Sequence, residues 1–271
     1  MRMLNVSLAL SSVALATSAF AAPVVYNLSL PDIATFDNVI TGTGASVTTR
    51  QVVLGQATYG YTDLNGNAAT VTVTRTSNGA IAGADTPDYS NNGQSLSGAA
   101  WNINPSAGLG GGLNGLPDID GYTSGLTFTF SSAVNAFGFE IGDWATCCTD
   151  NGRSAAVQSA YNVPATGSGL WIAFDGGAAT LPANALSASD NPGYALAQSY
   201  TNFIGAIDSS GTFSKVTFFG DGFGEFLVAG GTLRFASVDI GSVGIVPEPG
   251  SLALAALALA GLAAAVRRKS A

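Results

Sequence analysis

Short runs of Val, Thr, Phe and Tyr, each cut after a few residues by Gly, Asn, Asp or Pro, fill the middle of this chain. β-branched and aromatic residues suit pleated, half-buried strands, and the punctuating residues suit turns, so the pattern points to antiparallel β structure. No helical stripe interrupts it. The expected strands are Leu126 to Phe130, Val134 to Ile141, Ala156 to Tyr161, Leu170 to Phe174, Phe213 to Phe219 and Thr232 to Ile240. Short strands at such spacing favour an all-β fold, an antiparallel two-sheet sandwich or jelly roll. Along "AVNAFGFEIGDW", Phe137, Phe139 and Ile141 share one face, which the period of two assigns to the core.

In "QVVLGQATYGYTDLNGNAATVTVTRT" two strand-like runs, Gln51 to Tyr61 and Ala69 to Thr76, flank Asn65-Gly66. Asn and Gly tolerate the positive φ that tight turns require, so a hairpin is expected, with Asp63 in its turn. From Ser77 to Gly121 the chain is rich in Asn, Gly, Ser, Pro and Asp, and Trp101 marks a short strand inside that long connection.

Both ends of the chain are apolar. The head, "MRMLNVSLALSSVALATSAFAAP", runs from a cationic start through an apolar region to Ala19 and Ala21 in A-x-A spacing, the order of a secretory signal peptide over 1–21 that signal peptidase removes. The tail, 246–271, places Val246-Pro247-Glu248-Pro249 before an apolar stretch and ends in Arg267-Arg268-Lys269. Residues 250–266 are apolar all round and just reach the length of about 17 that a transmembrane helix needs. The basic cluster would stay on the cytoplasmic side, leaving the 22–245 body outside.

Pro247-Glu248-Pro249, a short membrane helix and a terminal Arg/Lys cluster behind a signal peptide together resemble the PEP-CTERM sorting signal of Gram-negative bacteria. The resemblance covers the tail alone. It implies an exosortase-like membrane processing enzyme as partner, an inner-membrane-anchored intermediate, and release to the surface or extracellular matrix. It also makes Pro247, Glu248 and Pro249, with Arg267, Arg268 and Lys269, recognition residues. The two prolines hold their segment extended and outside any helix, which suits presentation to a processing enzyme.

The body carries a formal charge of −11: sixteen acids remain once Glu248 is set aside, and five bases once Arg2 and the tail cluster are. Such a surface repels phosphate backbones and argues against nucleic-acid binding. It also makes calcium a plausible counter-ion, the one cofactor the composition suggests. The chain has no histidine, which excludes a Ser-His-Asp triad, a Cys-His dyad and ordinary His-ligated zinc.

Several residues are candidates for chemistry. Cys147-Cys148 can close a vicinal disulfide, remain as thiols or cross-link to other chains. Glu140, Asp143, Asp150 and Asp239, at expected strand ends or in loops, form a loose calcium-ligand set without the spacing of an EF-hand. Trp101 and Trp144 are candidate platforms for a sugar ring. A glycosidase needs two facing carboxylates, and availability among so many acids does not establish a pair. The expected function is therefore a non-catalytic structural role at the surface or in the matrix. A calcium-supported, lectin-like module that binds exopolysaccharide is the alternative, and a histidine-free glycoside hydrolase comes third.

Overall fold

The computed structural model describes residues 23–76, 79–103, 125–144, 153, 155–177, 179–220 and 227–243. The expected signal peptide and the expected membrane helix at 250–266 lie outside the described residues. Among those described, no helix is long and apolar enough to cross a membrane.

The strands in chain order are β1 (Val24–Leu28), β2 (Thr48–Gln51), β3 (Thr58–Thr62), β4 (Ala68–Arg75), β5 (Ser90–Asn91), β6 (Gln94–Ser95) and β7 (Ala100–Ile103). They continue with β8 (Gly125–Val134), β9 (Ala136–Asp143), β10 (Ser168–Phe174), β11 (Thr180–Ala185), β12 (Asn202–Ile207), β13 (Phe213–Gly220) and β14 (Leu227–Ala236). Among the described residues, the α-helices α1 (Ala34–Thr41), α2 (Ala155–Tyr161) and α3 (Tyr194–Ala197) lie between them. The first large sheet has the order β1-β12-β9-β14-β2, with β7 beside the first half of β14. The second has the order β11-β10-β13-β8-β4-β3, and every strand pair in both is antiparallel.

The alternation that the sequence shows is what joins the two sheets. Phe137, Phe139 and Ile141 of β9 point inward with Leu126, Phe128 and Phe130 of β8, and all six are buried in one cluster. The Phe128 ring lies 4.8 Å from that of Phe137 and 5.2 Å from that of Phe139, and Phe139 meets Phe218 edge-on at 4.8 Å. Each such ring contributes roughly 1.5–3 kcal/mol through burial, with about 0.5–1.5 kcal/mol more from a well-set aromatic pair. Outward positions of β4 and β8 are Thr70, Thr72, Thr74, Thr127 and Thr129, which suit a solvated sheet face.

Among the described residues, an apolar cluster covers part of each sheet's outer face. On the first sheet, Phe36 and Ile40 of α1, one turn apart, bury themselves against Phe203, Ile207 and Ala136. On the second, Trp171 stacks on Phe219 at 5.8 Å, and Tyr161 at the end of α2 closes it edge-on at 5.5 Å.

Three sequence expectations need correction. Ala156 to Tyr161 is helical, within α2, because Ala and Gln favour a helix, and Tyr161 at its end packs against Trp171 of the second sheet. The run from Gln51 to Tyr61 is two strands in different sheets, β2 and β3, with the chain crossing between them at Gly55, whose φ is 76°. The last strand covers Leu227–Ala236, so it starts before Thr232 and ends before Ile240. The Asn65-Gly66 hairpin is present between β3 and β4, and Trp101 lies in the short strand β7.

The strand directions sort the connections to two ends of the sandwich. Near Val24, the 63–67 hairpin turn, Asn135, Asp175, Asp208 and Asp239 is the end from which the chain continues toward its C-terminus. The opposite end carries the crossing at Gly55, the start of β8 at Gly125, Asp143 and Leu186.

Candidate functional site

The two tryptophans that the sequence offers as platforms are both interior. Trp101 in β7 is 0% exposed; its Nε1 donates to the carbonyl of Ala82 at 2.8 Å, and its ring meets Tyr59 and Phe128 edge-on. Trp144, just after β9, is buried in the same core. Their large apolar area gains more from the space between the sheets than from solvent, so neither presents a face to a sugar.

Glu140 is also drawn inward. It sits on β9 opposite the parity of Phe139 and Ile141, on the outer face of the first sheet, and is 1% exposed. Two features make room for it. β14 carries a bulge, with Gly230 pairing Glu140 and Leu233 pairing Phe139, and the intervening Gly231 adopts φ 61°. The chain beyond β6 then folds over the carboxylate, so that Ser97 donates its N–H to Oε2 at 2.9 Å. Thr232 donates its hydroxyl to Oε1 at 2.6 Å, and the Arg234 guanidinium lies 3.9 Å from the same oxygen. Arg234 in turn donates to the Thr232 hydroxyl, pairs through Nε with Asp37 of α1 at 3.2 Å, and rests over the Phe203 ring at 5.5 Å. A buried carboxylate needs this satisfaction, because an unpaired one would cost several kcal/mol. Both oxygens of Glu140 accept a hydrogen bond within the fold, so the arrangement ties α1 and the 97–98 segment to the sheet.

Of the expected metal-ligand set, the structure keeps Asp143 and Asp239 apart. Asp143 closes β9 at the far end, and Asp239 is exposed beyond β14 at the opposite end. The antiparallel pairing of Ala136 with Ala236 and of Asp143 with Val228 separates them by the length of β9, about 23 Å at 3.3 Å per residue. Among the described residues, no three acidic or thiol side chains are close enough to share an ion. Asp150, Cys147 and Cys148 lie outside the described residues. So do Pro247, Glu248, Pro249, Arg267, Arg268 and Lys269.

Arg234, Thr232 and Asp37 were not legible as a group. Alternation along "TLRFA" puts Thr232 and Arg234 on one face, but their partner comes from a helix with no sequence cue.

The described chain leaves the sandwich under close restraint. Asn135 binds Val238 twice, accepting its N–H at 2.7 Å and donating to its carbonyl at 2.6 Å. The Gly241 N–H donates to the Ser209 carbonyl at 3.0 Å, Ser242 N–H to Asp239 at 2.9 Å, and Val243 packs against the cluster under α1. The body is thus held in place to within a few residues of Pro247.

Residues 246–269 match the family model of the PEP-CTERM protein-sorting motif. No curated protein and no solved structure matches the chain. The C-terminal tail is therefore a PEP-CTERM sorting motif, the signal that an exosortase recognises at the membrane, and it marks this chain for export and a membrane-associated stage on the way to the surface.

Proposed function

We propose that the protein is a surface or extracellular-matrix component whose β-sandwich body has a structural, non-catalytic role. The observation that carries this reading is the sorting motif at 246–269, which addresses the body outside the cell. The body adds support of a different kind. Glu140 spends its carboxylate on holding the fold, Trp101 and Trp144 spend their rings on the core, and the aspartates at one end serve turns. Lacking histidine, and with an acidic surface, the body is suited to staying hydrated and unreactive in a polymer matrix.

The test is fractionation of the producing cells together with titration of the purified protein. A structural role predicts that the protein co-fractionates with exopolymer, that its loss weakens the matrix, and that the polymer evolves no saturable heat with or without calcium. Saturable heat abolished by chelator would replace this reading with the calcium-dependent lectin. Turnover of the polymer, lost when one carboxylate is neutralised, would replace it with the hydrolase.

A further inference from the structure

The end of the sandwich from which the tail emerges also carries the start of β1. Val24 pairs with Ile207, Ile207 with Ala136, and Ala136 with Ala236, so the first described strand and the last lie three inter-strand steps apart. At about 4.8 Å per step that is roughly 14 Å. The apolar head and the apolar tail thus attach to one side of the body, which can fold with both ends still in the membrane.

The link to the tail is short. Val243 is packed against the body, and residues 244–249 separate it from the apolar stretch. Six residues reach at most about 20 Å when fully extended, and Pro247 and Pro249 restrict how they bend. The longest strands, β8 and β14, have ten residues, so the body stands about 33 Å tall along them. The tether is shorter than the body it holds.

That same end bears Asp63, Asp175, Asp208 and Asp239. Asp63 accepts the N–H groups of Asn65 and Asn67, Asp175 those of Ser214 and Lys215, and Asp208 those of Ser210 and Gly211. The turns at the exit are thereby fixed.

We infer that this exit end is the face the body turns toward the bilayer while the tail anchors it, with the opposite end, at Leu54, Ile81 and Leu186, directed away from the cell. The inference rests on the tail acting as a membrane anchor. The short link therefore holds the body upright, with Pro247-Glu248-Pro249 between it and the membrane, where the processing enzyme acts.

The full chain, reconstituted in vesicles of phosphatidylethanolamine and phosphatidylglycerol with quencher-labelled headgroups, tests this. A fluorescent amino acid is placed singly at the exposed positions Asn65 and Ile240, near the tail, and at Ile81 and Leu186, far from it. Quenching at least twofold stronger at Asn65 and Ile240 is expected. Equal quenching at all four positions, with the protein sedimenting with the vesicles, would mean that the body lies on its side, and stronger quenching at Ile81 and Leu186 that it is inverted; either overturns the orientation alone. A chain that fails to sediment with the vesicles overturns the anchor reading, and the orientation with it.

Discussion

Gly231 lies directly against the carboxylate of Glu140: a Cβ added to Gly231 would overlap Oε2, and the backbone there has φ 61°. One backbone position therefore decides whether the buried carboxylate keeps its partners. Gly231→Ala should destabilise the protein by about 3 kcal/mol, from the strain of a side chain at positive φ and from donors left unpaired as Glu140 shifts. The urea midpoint measures it. A loss under about 0.5 kcal/mol, the range of an ordinary surface change, would mean that the bulge has no structural role.

Asn135 is the corresponding fastener at the tail end. Asn135→Ala strips both the N–H and the carbonyl of Val238 of their buried partners, at about 1–3 kcal/mol for each group. Asn135→Asp keeps the acceptor for the N–H but sets a buried carboxylate against the Val238 carbonyl, so at neutral pH it should be at least as destabilised as the Ala variant. Amide exchange at Gly241 and Ser242 should rise in the same order. Unchanged exchange in the Ala variant would show that the exit is held by other contacts.

Stability should fall at both extremes of pH, for different residues. The Asp63 carboxyl is held below its ordinary 3.8 by the N–H of Asn67 first, helped by the N–H of Asn65 and the Ser132 hydroxyl. A depressed carboxylate contributes stability above its unfolded pKa and loses it as pH falls through the folded value. The gap between parent and Asp63→Ala should therefore close on acidification below pH 3.8. Burial pushes the phenols of Tyr26, Tyr59 and Tyr61 above their ordinary 10.0. That contribution is complete below pH 10.0 and disappears as pH rises through the folded values. Tyr61→Phe should flatten part of the alkaline fall in the urea midpoint; a variant that declines as steeply as the parent would remove Tyr61 from the explanation.

What could be read from the sequence was what local pattern determines. Phe137, Phe139 and Ile141 alternate because one face of β9 meets the core, and Asn65-Gly66 turns because Gly66 takes φ 80° while Asp63 caps the loop. Elements whose form depends on distant partners were not legible. All residues of β12 are buried, so "NFIGAI" shows no alternation. The first helix, α1, is built from "ATFDNVIT", rich in residues that disfavour helices, and its N-cap has no side-chain bond; burial of Phe36 and Ile40 under the first sheet holds it. Glu140 looked like a strand-end ligand because its partners Ser97, Thr232 and Arg234 are 43 residues or more away in the chain or on another strand.

Sorting of this body through its tail by an exosortase-like enzyme would leave its record at the C-terminus. The measurement is the intact mass and C-terminal peptide of the protein recovered from the surface or extracellular fraction, in cells with and without that enzyme. The account predicts a protein lacking the apolar and basic part of the tail when the enzyme is present. Without the enzyme it predicts an uncleaved chain retained in the membrane fraction. An external protein with the same uncleaved C-terminus in both kinds of cell would contradict it.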